Sequence, residues 1–230
     1  MLQYWFINPP AHPHRLSAAA GLLIAFGWPF LFLASGISSH RLTNLRDDVT
    51  TICAEWLVVL ILAAIAFVIQ RQSHLLFGLR MFGWRDLLWM LAALAATFIL
   101  AGIATGFVQI PASTIGDLQL LSAVPFALRL GLVVTAGFCE EFMYRGFGIE
   151  ELAGFTRNRW TAGLVSLILF TVGHSGRYGF SAALILPGIA GATITLLYLW
   201  RRNLPVCMLM HGIVDAIPLL VVPMVTAHHS

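Results

Sequence analysis

Apolar residues run through this chain in seven long stretches, separated by short polar breaks, and each stretch predicts a helix rather than a strand. Leu16 to Ile37, Val49 to Ile69, Leu87 to Val108, Phe180 to Trp200 and Leu204 to Val225 each approach or exceed the roughly 20 residues that a helix needs to cross a bilayer core. A fourth stretch runs from Ala123 to about Gly148. The fifth, Trp160 to His174, is shorter and meets the breaker-rich Ser175-Gly176-Arg177-Tyr178-Gly179, so a helix break is expected just after His174. Between the stretches lie polar loops at 40–48, 70–86, 109–122 and 150–159, and a tight turn at Arg201, Arg202 and Asn203. The pattern predicts an all-α, polytopic membrane helical bundle of about seven transmembrane or partly spanning helices. It forms a single domain over 1–230, with helices one to three in 1–122 and helices four to seven in 123–226.

Composition strengthens this picture. Of 230 residues, 59% are hydrophobic and 10% charged, against about 25% charged in a soluble domain. All 13 basic residues are arginine and none form a run, so a nucleic-acid surface is excluded. Cys53, Cys139 and Cys207 are odd in number and set in apolar runs, which argues for packing rather than a disulfide framework. The first fifteen residues, with Tyr4, Trp5 and Phe6, read as an interfacial lead, and the terminal His228 and His229 as a loose end. Leu16 to Ile37 is too long for a signal peptide's apolar region and reads as a retained span.

Loop arginines set the orientation. Arg15, Arg71, Arg80, Arg85, Arg157, Arg159, Arg201 and Arg202 fall on one side; Arg41, Arg46 and Arg177 fall on the other. The positive-inside rule places the first side, with the N-terminus, in the cytoplasm, as expected for a multi-pass protein of a bacterial cytoplasmic membrane. Glu140 and His211 then share one depth, roughly 10 Å below the cytoplasmic surface.

Against this apolar background the stretch Gly137 to Phe147, GFCEEFMYRGF, is costly: ionised groups in a membrane segment are rare and functional by default. Glu141 and Arg145 are spaced i, i+4, the favourable order for an ion pair. Glu140 is rotated by about 100° on an α-helix and is left to act. Phe170 with His174, and His211 with Asp215, repeat the i, i+4 spacing on later helices. Two imidazoles and up to three carboxylates in a low-dielectric pocket can position and polarise a water against a peptide carbonyl, with or without a divalent metal such as zinc held by His174, His211 and Asp215. Glu55 and Arg129 have no place in this pattern and are read as structural.

These motifs resemble those of the CPBP family, the CAAX-prenyl-protease and bacteriocin-processing (Abi) intramembrane endopeptidases. The resemblance covers roughly Ala123 to Val225 and rests on Glu140-Glu141 with Arg145, Phe170 with His174, and His211 with Asp215. It implies a catalytic core in the last four helices and cleavage of a membrane-associated peptide or protein substrate. It further implies that Glu140 activates water, that His174 helps to hold it, that His211 and the residue four later stabilise the oxyanion, and that Glu141 with Arg145 supports the site. Asp215 stands where the family carries Asn or Asp. An ionised Asp only accepts hydrogen bonds, so its expected role is to orient His211 or to ligate a metal. A proton- or cation-coupled transporter is the rival reading, but the charged motifs all lie in the second half and no inverted repeat is visible. A non-catalytic immunity or scaffold protein of the same fold is the other.

Overall fold

A computed structural model describes residues 14–34, 45–107, 123–178 and 180–221. Among these no strand occurs, and the chain is an all-α membrane bundle. Helix α1 spans Arg15–Ala34, and α2 spans Leu45–Ala63 and runs on in wider turns through Ala64–Ile69. Trp84–Thr105 forms α3. Helix α4 starts at Phe126–Thr135 and continues through Ala136–Glu140 and Phe142–Ile149 into Glu150–Thr156. Helices α5, Arg159–Tyr178, and α6, Phe180–Arg201, precede α7, Leu204–Ala216, which ends in the wider turn Ile217–Val221. Among the described residues, four stretches are long and apolar enough to cross a membrane: Asp48–Ile69, Trp84–Thr105, Leu184–Arg201 and Leu204–Val221. Residues 1–13 of the expected aromatic lead, 40–44 of the loop expected at 40–48, the loop expected at 109–122 and the tail from 222 lie outside the described residues, whereas 45–48 of that first loop already belong to α2.

Three local expectations need correction. The stretch 150–159, expected as a charged loop, is helical to Thr156. Its carboxylates Glu150 and Glu151 are buried because partners reach them from neighbouring segments, and the chain turns only at Arg157, which takes a left-handed φ of 58°. The break expected after His174 is not there. Helix α5 continues to Tyr178 and is 20 residues long, so it rises about 30 Å instead of about 20 Å. The α-helical geometry assumed around Glu140 is replaced by π-helical turns on both sides of Glu141. Such wide turns are rare and frequently mark functional sites; here they rotate successive side chains by less than 100°.

The bundle is tied together at one end by a polar collar joining segments that the arginine pattern placed on a common side. Arg80 donates to the carbonyls of Arg201 and Arg202 at 2.7 and 3.0 Å, and Asp86 receives Arg201 at 2.8 Å. Arg202 pairs with Glu150, which also accepts from Tyr198 at 3.0 Å and faces Arg159 at 3.5 Å. The turn before α3 depends on Gly78, at φ +72°, whose carbonyl accepts from the Leu204 amide at 2.8 Å and starts α7. Asn203 caps α7 by accepting from the Val206 amide.

Glu151 is sealed into this collar, 1% exposed, with Gln72 donating to it at 3.2 Å. Burial, beside the charge of Glu150 and against the hydrogen bonds of Gln72 and Gln70, pushes its carboxyl up from 4.5 to about 7. A carboxyl with a raised folded-state value stabilises the fold fully below its unfolded value and loses that contribution as pH rises through the folded one. Stability of the purified protein in detergent is therefore expected to fall between about pH 5 and pH 8, by an amount on the order of 3 kcal/mol. Glu151→Gln is expected to flatten this dependence, and an unchanged pH profile in that variant would remove Glu151 as its cause.

Candidate active site

The site forms where α4, α5 and α7 face one another, and the close approach of α4 to α7 is made by glycine. A Cβ on Gly137 would meet the Met208 carbonyl at 3.0 Å and the Gly212 amide at 3.1 Å. Gly212 is less confined, since its Cβ would meet only Val133 Cγ1 at 3.9 Å. Gly137→Ala is thus expected to lower the melting temperature, at a cost of about 1–3 kcal/mol, whereas Gly212→Ala is not. Equal melting temperatures for the two variants would contradict this account of the helix contact.

Close packing brings all six sequence-predicted residues together. Arg145, 1% exposed, donates from Nη1 to Glu141 Oε1 at 2.7 Å. The same oxygen lies 2.8 Å from His211 Nδ1. Because an ionised carboxylate can only accept, Nδ1 of His211 carries the proton here and Nε2 is turned into the site. His174 is set the same way by its own helix: Nδ1 donates to the Phe170 carbonyl at 2.8 Å. Its Nε2 lies 3.7 Å from Glu140 Oε2, and His211 Nε2 lies 3.9 Å from the same oxygen. Asp215 Oδ2 is 3.5 Å from His211 Nε2. Glu141 thus meets the His211 ring at Nδ1, while Asp215 approaches it from the other nitrogen.

The two adjacent carboxylates have unlike surroundings. The Glu141 side chain is fully sealed, at 0% exposure, and holds a guanidinium and an imidazole; Glu140 is 15% exposed and faces two imidazole nitrogens beyond direct hydrogen-bond range. Phe170 closes the pocket from α5, with its ring 4.4 Å from that of His174 and 6.1 Å from that of His211 between centroids. The Arg145 guanidinium sits 4.5 Å over the same ring, a favourable cation–π placement. Arg129 stands apart from the site, donating to the Leu219 carbonyl at 3.1 Å. Glu55 is buried on α2.

Sequence reasoning missed α6. Its Gly191 carbonyl accepts from Arg145 Nη2 at 3.0 Å, and its Thr195 hydroxyl accepts from Arg145 Nε at 3.3 Å. Neither residue is ionisable and neither sits in a polar cluster, so the apolar run of α6 gave no signal; only their i, i+4 spacing was legible. Beside the site an apolar groove of about 340 Å³ lies between α4 and α7, lined by Gly137, Phe138, Met208, Gly212 and Ile213 among others.

Residues 122–217 match the family model described as Rce1-like, Type II CAAX prenyl endopeptidase Rce1-like. That segment of the chain is similar to this family. The matched segment contains every member of the constellation, and it agrees with the CAAX-protease resemblance read from the motifs. It supports a CAAX-type intramembrane protease in general, with a peptide or protein substrate and a membrane setting. No curated protein and no solved structure matches the chain.

A divalent metal requires three or more donor side chains aimed at one point. Both imidazoles are anchored through Nδ1, as ligating histidines commonly are. Among the described residues, however, no three or more His, Cys, Asp or Glu side chains form a group placed to hold a metal ion.

Proposed function

We propose that the protein is an intramembrane endopeptidase in which Glu140 activates a water for attack on a peptide carbonyl of a membrane-associated substrate. The observation that carries this reading is the convergence of His174 Nε2 and His211 Nε2 on Glu140 Oε2, at 3.7 and 3.9 Å. These separations exceed a direct hydrogen bond and suit one bridged by water. Glu140 takes a proton from the water as it adds to the carbonyl carbon, and His174 holds the water against the carboxylate. The carbonyl oxygen gains negative charge, which the Nε2–H of a protonated His211 stabilises; Glu141 supports that charge from Nδ1 and Asp215 from the Nε2 side. Glu140 then returns its proton to the leaving amine. Because Asp215 carries negative charge, it acts through His211 rather than on the oxyanion.

The apolar groove lies between α4 and α7, the two helices that carry Glu140 and His211, and offers an apolar face for a membrane-tethered chain. The polar collar lies on the cytoplasmic side in the orientation that the arginine pattern favours. The test is a cleavage assay in liposomes on a library of peptides tethered through alkyl or isoprenyl chains, comparing wild type with Glu140→Ala, with and without chelator. Cleavage by wild type alone is expected, and it is expected to resist the chelator. Equal cleavage by both proteins would sink the assignment of Glu140, and loss with chelator would return a divalent metal to the site. A transporter would cleave nothing and would instead move protons or cations across the same liposomes.

A further inference from the structure

We infer that Thr195 and Gly191, both on α6, are positioning residues for His211, acting through Arg145 and Glu141; the inference rests on the hydrolytic role proposed for His211. Helix α6 contributes no ionisable group to the site, yet it determines where the Arg145 guanidinium lies. Three of that group's nitrogens each have a different partner: Nε donates to the Thr195 hydroxyl at 3.3 Å, Nη2 to the Gly191 carbonyl at 3.0 Å and Nη1 to Glu141 Oε1 at 2.7 Å. A guanidinium is planar and its donors form a rigid fork, so fixing two corners fixes the direction of the third. The third corner meets the carboxylate oxygen that lies 2.8 Å from His211 Nδ1. The line Thr195 and Gly191, Arg145, Glu141, His211 therefore sets which way Nε2 of His211 points.

Packing permits little slack along this line. Glu141 and Arg145 are 0% and 1% exposed, and Thr195 is 4% exposed, so no solvent is at hand to replace a lost partner. Gly191 has no room for a side chain: a Cβ there would lie 2.9 Å from Phe170 Cδ1 and 3.2 Å from Arg145 Nη2. A methyl at 191 thus pushes on the guanidinium and on the ring of the Phe170 and His174 pair together. Thr195→Val keeps the shape and removes the acceptor, leaving a buried, charged N–H without its partner. Thr195→Ser keeps the acceptor.

The experiment uses the full chain in liposomes with the tethered-peptide library, together with nitrogen-15 spectra of histidine-labelled protein in detergent. In the spectra, the hydrogen-bonded Nδ1–H signal of His211, assigned by its disappearance in His211→Gln, is expected to shift or vanish in Thr195→Val and to persist in Thr195→Ser. In the assay, Thr195→Val is expected to lower kcat by about 10- to 100-fold with KM within about twofold, and Thr195→Ser to restore it. Gly191→Ala is expected to move the same signal, and it carries the test if Thr195→Val does not fold. An unmoved Nδ1–H signal in Thr195→Val or, failing that, in Gly191→Ala overturns the inference whatever the cleavage result. A rise in KM with kcat unchanged overturns it as well, since that would place α6 in substrate binding. Because the spectra need no substrate, failure of the protease reading and failure of the positioning role give different results.

Discussion

Glu140→Gln is expected to reduce kcat on a cleavable membrane-tethered peptide by about 10²- to 10⁴-fold, the range associated with loss of a general base, while KM stays near its wild-type value. The amide keeps the volume and shape of the carboxylate but cannot take a proton from water. Glu140 is also the less buried member of the pair and holds no guanidinium, so the fold is expected to survive its replacement. Steady-state kinetics beside a melting curve separate the two effects. A variant that melts like wild type and cleaves within about threefold of it would rule out Glu140 as the base.

Arg145→Met carries the largest expected effect on stability. It removes one partner of a fully buried ion pair, and such losses cost about 3–5 kcal/mol because the remaining charge has no solvent to turn to. Here Glu141 would keep His211 but lose its guanidinium, and the Gly191 carbonyl and Thr195 hydroxyl would lose their donor. Chemical unfolding in detergent is the measurement. The double variant Glu141→Gln/Arg145→Met is expected to recover part of the loss, since it removes the stranded charge as well. If Arg145→Met were as stable as wild type, the pair would not hold the helices as described.

The sequence revealed the helices because a bilayer core allows few alternatives: runs of about 20 apolar residues must satisfy their backbone groups internally. It also revealed the site's ionisable members, because charge is conspicuous in an apolar run. Glu140, Glu141, Arg145, His174, His211 and Asp215 stood out one by one, and the structure draws them together. What remained hidden has a physical reason in each case. Glu150 and Glu151 look like loop residues because partners such as Arg202 and Gln72 come from distant segments. Helix α5 passes its glycines because one Gly in a helix costs only about 1 kcal/mol. The π-helical turns around Glu141 leave no mark on composition or spacing. Gly191 and Thr195 act through a carbonyl and a hydroxyl, which an apolar pattern does not distinguish from packing.

The division of labour between the two glutamates is the point at which sequence and geometry meet most closely. Spacing alone paired Glu141 with Arg145. The structure adds His211 to the same carboxylate oxygen, which turns an ion pair into the support of an imidazole and leaves Asp215 on the ring's other side.

That Glu140 works on water, and not as a nucleophile itself, is tested most directly by single-turnover cleavage in oxygen-18 water with hydroxylamine present, followed by mass spectrometry of the product and of the Glu140 peptide. One oxygen-18 in the new carboxylate, no hydroxamate product and an unlabelled Glu140 are the predicted result; a hydroxamate, or label in Glu140, would show a covalent acyl-enzyme and contradict it.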